Sequence, residues 1–228
     1  MDNQTTPTTP TTQTQCLLKA QNLSHKFDYT LFEDISFELD QNQTIAIIGT
    51  SGSGKSTLLN ILSSLLAPSE GDVYFNEQNL YKQKKDKLLK IRREDFGIIF
   101  QAHYLFRGFD ATENLEITRL LSANDIDPEL IKKLKIDHVM KQQVGELSGG
   151  QQQRLSIARV MTKRPKIIFA DEPTGNLDKQ TADEVMDVIF NYVYETNGAM
   201  ILVTHEESLA HRADIVYKLE NKELKRIK

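Results

Sequence analysis

The chain has 228 residues, enough for one large domain with a substantial buried core. Its 28 Lys and Arg against 32 Asp and Glu leave a net charge of −4, the wrong sign for a protein built to grip duplex nucleic acid, and no nucleic-acid partner is expected. The single cysteine, Cys16, supports neither an intrachain disulfide nor a cysteine-built metal site, and no apolar run reaches the roughly 20 residues that cross a bilayer. Without a charged-then-apolar leader, the expected compartment is the cytoplasm.

Met1 to Gln15 are almost all Thr, Gln, Pro and Asn, a composition with little to gain from folding, so residues 1–16 are expected to be a disordered tail with order beginning near Leu17. Ile35, Phe37 and Leu39 alternate with Ser36 and Glu38, the period of a half-buried strand. After a turn at Gln41-Asn42-Gln43, Thr44 to Gly49 is apolar on both faces, as a central parallel strand must be. Lys55 to Leu66 carries Leu58, Leu59, Ile61, Leu62 and Leu65 at helical spacing and should stop before Ala67-Pro68. Val73 and Phe75 suggest an antiparallel edge strand, and Lys82 to Arg93 reads as the solvated face of a helix.

Phe96 to Phe100 is another short strand. From Gln101 to Leu147 the pattern becomes helical and polar, with Pro128 and Asp125/Asp127 as breakers, and Ser148-Gly149-Gly150 restarts a helix that runs to about Lys163. Lys166 to Ala170 and Ala199 to Thr204 are buried strands flanking an amphipathic helix around Thr181 to Tyr194. Strands alternating with helices predict an α/β fold with a parallel sheet, and residues 101–148 read as a helical insertion into it.

Gly49-Thr50-Ser51-Gly52-Ser53-Gly54-Lys55-Ser56 follows the central strand and opens a helix, matching the phosphate-binding loop G-x-x-x-x-G-K-[ST] at every position. Glycines let successive N–H groups converge on phosphate oxygens, and the helix start adds the favourable end of its dipole. Lys55 can reach the β- and γ-phosphates, and the Ser56 hydroxyl can ligate Mg²⁺. Downstream, the strand Ile167 to Ala170 delivers Asp171 and Glu172, where Asp171 would hold Mg²⁺ through water and Glu172 would polarise an attacking water. Leu147-Ser148-Gly149-Gly150-Gln151 opens a helix; from the residues alone it is either a second anion-binding N-terminus or an ordinary N-cap with flexible glycines.

Leu147 to Gln151 resembles the signature sequence of ATP-binding cassette (ABC) ATPases, and the other marks of that family follow in order from Leu17 to Lys228. Gln101 stands where the family has its Q-loop glutamine. Asn176-Leu177-Asp178 resembles the D-loop, with Asn176 where Ala is commoner, and His205 ends a strand as the switch histidine does. Phe27 stands where an adenine-stacking Tyr is usual, with Tyr29 a poorer stand-in. The resemblance implies a phosphate-loop NTPase core with a parallel sheet, an antiparallel β subdomain and an inserted α-helical subdomain. It implies ATP and Mg²⁺, with Lys55, Gln101, Glu172 and His205 acting in hydrolysis and Ser56, Gln101 and Asp171 around the metal. Nucleotide contacts would come from Phe27, Gly49, Thr50, Ser51, Gly52, Ser53, Gly54, Lys55, Ser56 and Thr57, with Ser148, Gly149, Gly150, Gln151 and Asp178 completing the site across a homodimer.

Within the family, Phe100 to Asn114 looks most like the lipoprotein-releasing (LolD) type, in a group that includes macrolide-exporter and cell-division ATPases; Arg107-Gly108 departs from the Pro-Asp usual there. The implied role is an ATPase subunit beneath a separate membrane permease. The alternatives are a signalling or efflux ATPase of the same group, or a non-transport ABC ATPase, which usually fuses two cassettes or carries a long coiled coil. Leu105, Phe106 and Phe109 either pack inside the helical subdomain or form an apolar docking surface rimmed by Arg107, Asp110 and Glu113 that grips the permease.

Overall fold

The computed structural model describes residues 15–228, so the expected tail lies, but for its last two residues, outside the described residues. Cys16, assigned to that tail, instead opens strand β1 (Cys16–Lys26), because its backbone pairs with Asp40 of β2 (Thr30–Asp40). Along β2 the side chains of Ile35, Phe37 and Leu39 are buried while Ser36 and Glu38 face out, the alternation the sequence predicts. The chain then leaves through β3 (Gln43–Ile48) and helix α1 (Lys55–Leu62), and returns as β4 (Glu70–Phe75) and β5 (Gln78–Asn79). An antiparallel sheet of order β2-β1-β4-β5 results. The strand of Val73 and Phe75 is antiparallel as expected but not at the edge, which the two-residue β5 occupies. Helix α1 ends at Leu62, short of Ala67: Ser64 takes a left-handed φ of 66°, and the N–H groups of Leu65 and Leu66 turn back onto Asn60 O.

Helix α2 (Lys85–Glu94) and strand β6 (Phe96–Ile99) lead into a mainly helical stretch containing α3 (Ala111–Ser122) and α4 (Pro128–Lys133). The Asp127-Pro128 pair is a start signal here, not a breaker: Asp127 accepts a hydrogen bond from Glu129 N and Pro128 fills the first helical position, where no N–H is needed. After α5 (Gly149–Thr162) come β7 (Ile167–Asp171), α6 (Lys179–Glu195), β8 (Ala199–Val203), α7 (Glu207–Ala210), β9 (Ile215–Glu220) and β10 (Glu223–Arg226). These four strands with β3 and β6 form a six-stranded sheet of order β10-β9-β3-β8-β7-β6, parallel except for β10.

The two-residue period of the strands divides this sheet between two cores. Ile45, Ile47, Ile167, Phe169, Ile201 and Val203 face α1 and the antiparallel sheet. Ala46, Ile48, Ile168, Ala170, Met200 and Leu202 face α5, α6 and the helical stretch. Covered on both faces, every residue of β8 is buried, which is why these strands read as unbroken apolar runs. Each fully buried Ile or Phe contributes roughly 1.5–3 kcal/mol, and the resulting rigid sheet fixes the loops at its C-terminal edge.

Candidate nucleotide site

Parallel pairing of β3 with β8 and of β8 with β7 brings three connections to one edge: the loop 49–56 after β3, Asp171-Glu172 at the end of β7, and Thr204-His205 after β8. The loop needs its glycines. Gly54 caps α1 with φ 101°, and a Cβ there would stand 2.6 Å from Leu31 Cγ. A Cβ at Gly49 would meet Leu219 O at 2.5 Å. Lys55 is buried and curls back, its Nζ donating to Gly49 O and Thr50 O at 2.9 Å each, so the loop is closed around its own cation. Ser53 N donates to Thr50 O at 3.2 Å, while Ser53 Oγ is buried without a partner among the described residues.

Asp171 is the last residue of β7 and accepts a hydrogen bond from Ser56 Oγ at 3.0 Å. Burial pushes its carboxyl above the ordinary carboxylate range, with Glu172 adding to the shift, while the Ser56 bond and the Lys55 charge oppose it. Glu172 follows in a left-handed conformation, φ 47°, with its N–H still paired to Val203 O. Its Oε1 lies 2.8 Å from His205 Nδ1. That hydrogen bond, and then the charge behind it, raises the His205 imidazole above its ordinary value.

The described residues hold no cluster of three His, Cys, Asp or Glu that could cage a metal ion. Ser56 and Asp171 do place two hard oxygen donors side by side, the carboxylate partly withdrawn from solvent. That donor set suits Mg²⁺, which keeps waters and takes one or two protein oxygens together with substrate phosphates.

Beside the loop is a cleft of about 260 Å³ lined by Phe27, Tyr29, Leu31, Gly52, Gly54, Lys55, Ser56 and Thr57. Phe27 and Tyr29 are 58% and 66% exposed, so both offer ring faces there, and Phe27 is braced edge-on by His25 at 4.8 Å between centroids. Thr50, Ser51 and Gly52 are exposed at the mouth of the loop.

Other expected residues stand apart. Gln101 is exposed two residues beyond β6, and its side chain bonds neither Ser56 nor Asp171. Ser148 is the N-cap of α5: its Oγ accepts from Gln151 N at 3.3 Å, and Gln151 Oε1 accepts from Ser148 N at 2.8 Å. Ser148 and Gly149 are exposed and Gly150 is partly exposed, so the cap also presents a helix start to solvent. Asp178 caps α6 by accepting from Thr181 N at 3.0 Å, and the Thr181 side chain first, then this backbone bond, hold its carboxyl below the ordinary range. Two residues given no role by motif reasoning join these segments: buried Gln153, whose Nε2 donates to Pro173 O at 2.6 Å, and His103, which lies between Gln152 and Asn176. Gln153 follows Leu147 to Gln151 and His103 falls within Phe100 to Asn114, stretches that carry the family resemblance without giving either residue a role.

The family model described as ABC transporter matches residues 32–175. The chain is 41% identical over 197 residues to the lipoprotein-releasing system ATP-binding protein LolD of Rickettsia felis, covering 84% of this chain and 87% of the relative. It is 34% identical over 212 residues to the protein of the same name from Buchnera aphidicola, covering 89% and 93%. Among solved structures, the ATP-binding cassette MJ0796, in a dimeric post-hydrolysis state bound to ADP and Pi, superposes with a TM-score of 0.84 at 28% identity, over 93% of this chain and 99% of that one. The glycine-rich loop 49–56, the paired carboxylates and the histidine at one sheet edge agree with these likenesses, and the chain belongs to the ABC transporter family, among its ATP-binding proteins.

Proposed function

We propose that this chain is the ATP-hydrolysing subunit of a transporter that releases lipoproteins from the inner membrane. It would be held peripherally on the cytoplasmic face by a separate permease; among the described residues no helix is long and apolar enough to cross a membrane. The reading is carried by one observation: Lys55, Ser56, Asp171, Glu172 and His205 converge at a single sheet edge beside a cleft with an exposed aromatic wall.

ATP would stack its base on Phe27 and lay its phosphates along the N–H groups of residues 49–56. Lys55 Nζ would exchange the Gly49 and Thr50 carbonyls for β- and γ-phosphate oxygens, so the loop opens onto the ligand without moving its backbone far. Ser56 and Asp171 would hold Mg²⁺, which when bound neutralises phosphate charge. Glu172 would orient the attacking water in line with the γ-phosphorus and take its proton as the new P–O bond forms and the bond to the β–γ bridging oxygen breaks, ADP leaving with that electron pair, while His205 leaves Glu172 to contact the γ-phosphate. Gln101 would join this arrangement on nucleotide binding. Ser148, Gly149, Gly150 and Gln151, with Asp178 nearby, would complete the site of a second copy.

The test is purification from membranes with whatever integral protein accompanies the chain, followed by ATP-dependent release of a labelled lipoprotein from vesicles. Release that is lost in Glu172→Gln supports the proposal. A complex of the chain with its permease that hydrolyses ATP without releasing lipoprotein would move the chain to the signalling or efflux members of the group.

A further inference from the structure

His103 joins three segments that are distant in sequence. Its Nδ1 is 3.3 Å from Gln152 Oε1, and its Nε2 is 3.4 Å from Asn176 Nδ2. Gln152 lies one helical turn after Ser148, and its amide nitrogen donates to Leu147 O at 2.9 Å, which leaves Oε1 to face the ring. That oxygen can only accept, so the pairing calls for a proton on Nδ1 and leaves Nε2 to accept from the Asn176 amide. The backbone around His103 is clamped as well: Arg159 donates from Nη1 to Tyr104 O at 2.8 Å and from Nη2 to His103 O at 3.5 Å. The same loop is held to α5 directly: Gln153 Nε2 donates to Pro173 O, and Gly150 approaches Leu177 so closely that a Cβ would sit 3.1 Å from Leu177 Cδ2.

We propose that His103, as its Nδ1–H tautomer, is a positioning residue that ties the segment after Gln101, the start of α5 at Ser148 and the Asn176–Asp178 loop into one unit, so that the last two meet a second subunit's nucleotide in fixed register. The inference rests on the reading above, in which two copies share each nucleotide. It supplies a physical reason for Asn176 where Ala is commoner: alanine would leave Nε2 without its donor. Because His103 is not among the residues lining the phosphate cleft, its effect falls on assembly and not on nucleotide capture by a single chain.

The experiment uses the full chain carrying Glu172→Gln, with His103→Ala, Asn176→Ala and both together. ATP affinity of dilute, monomeric protein should be unchanged, while ATP-Mg²⁺-driven dimerisation weakens about five- to tenfold, the scale of one or two lost hydrogen bonds. The double variant should be no weaker than His103→Ala alone, since both changes break the same link. His103→Asn, which retains a donor toward Gln152, should recover part of the loss. Long-range ¹H–¹⁵N spectra should show the Nδ1–H tautomer in the parent and a shift toward a mixture in Asn176→Ala. Unchanged dimerisation with only a lowered melting temperature, additive losses, or an Nε2–H ring would overturn the proposal. A Glu172→Gln parent that stays monomeric with ATP would instead remove the shared-site reading, and the tautomer measurement then decides whether the three segments are tied.

Discussion

His205 Nδ1 and Glu172 Oε1 are 2.8 Å apart, so the two side chains proposed to handle water and γ-phosphate hold each other. The carboxylate favours the charged imidazole and raises its pKa. With the folded value above the unfolded one, the contact contributes fully below the ordinary histidine pKa and is lost as pH rises through the raised value. Titration of His205 by NMR should show this upward displacement, and Glu172→Gln should bring it back toward the ordinary value. An unshifted His205 in the parent would mean that the pair is not formed in solution.

The same substitution separates binding from chemistry. Glutamine keeps the shape of Glu172 but cannot take a proton, so Glu172→Gln should retain ATP and accumulate as a dimer with ATP-Mg²⁺ in light scattering, with turnover reduced at least a hundredfold, the usual scale for a general base. Substantial remaining turnover would assign water activation elsewhere.

Lys55→Ala removes a charge-assisted contact to phosphate worth about 1.5–3 kcal/mol, so ATP affinity measured by calorimetry should fall at least tenfold and hydrolysis should cease. It also deletes the two internal bonds to Gly49 O and Thr50 O, so the melting temperature without nucleotide should drop slightly. Unchanged affinity would exclude this loop as the nucleotide site.

What could be read from the sequence was whatever is local. The glycine-rich loop 49–56, the carboxylates at the end of β7 and the doubly covered strands leave contiguous or two-residue patterns, and the structure has a helix-opening loop, a strand end and buried strands at those positions. Short-range reading erred where a signal has two meanings: Asp127-Pro128 interrupts one helix pattern but starts α4, and Ser64 ends α1 although the leucine spacing continues to Leu65. Three strands, β1, β9 and β10, carry mixed or charged stretches that only their partners make into sheet. The His103 links span 49 and 73 positions, and no periodicity records a contact at that separation.

Lys163, just past α5, illustrates a fold contact with its own pH signature. Its Nζ donates to Arg92 O at the end of α2 and to Phe96 O, while Asn124 Nδ2 donates to Lys163 O at 2.9 Å. Burial lowers its pKa to about 8. Between that value and the ordinary lysine range the unfolded chain binds the extra proton, so this residue makes stability rise with pH across the window. Urea midpoints of the parent should increase there relative to Lys163→Met, which has nothing to titrate. Parallel curves for the two proteins would show that Lys163 keeps an ordinary pKa.

The apolar trio after Gln101 divides in the structure. Leu105 is partly buried against the core beneath α5, whereas Phe106 and Phe109 are 47% and 40% exposed and packed edge to face at 6.0 Å. Two of the rim charges are engaged locally, since Asp110 and Glu113 form the capping box of α3. Arg159 lies 5.8 Å from the Phe106 ring and also holds the backbone of His103 and Tyr104, linking this surface to the segment beside Gln101. Phe106→Ala with Phe109→Ala should therefore leave the melting temperature within a few degrees and ATP binding unchanged while permease pull-down is lost. Leu105→Ala should instead lower the melting temperature, at a cost below the roughly 2–5 kcal/mol of truncating a fully buried leucine. Retention of the permease by the double phenylalanine variant would move the docking surface elsewhere on the subunit.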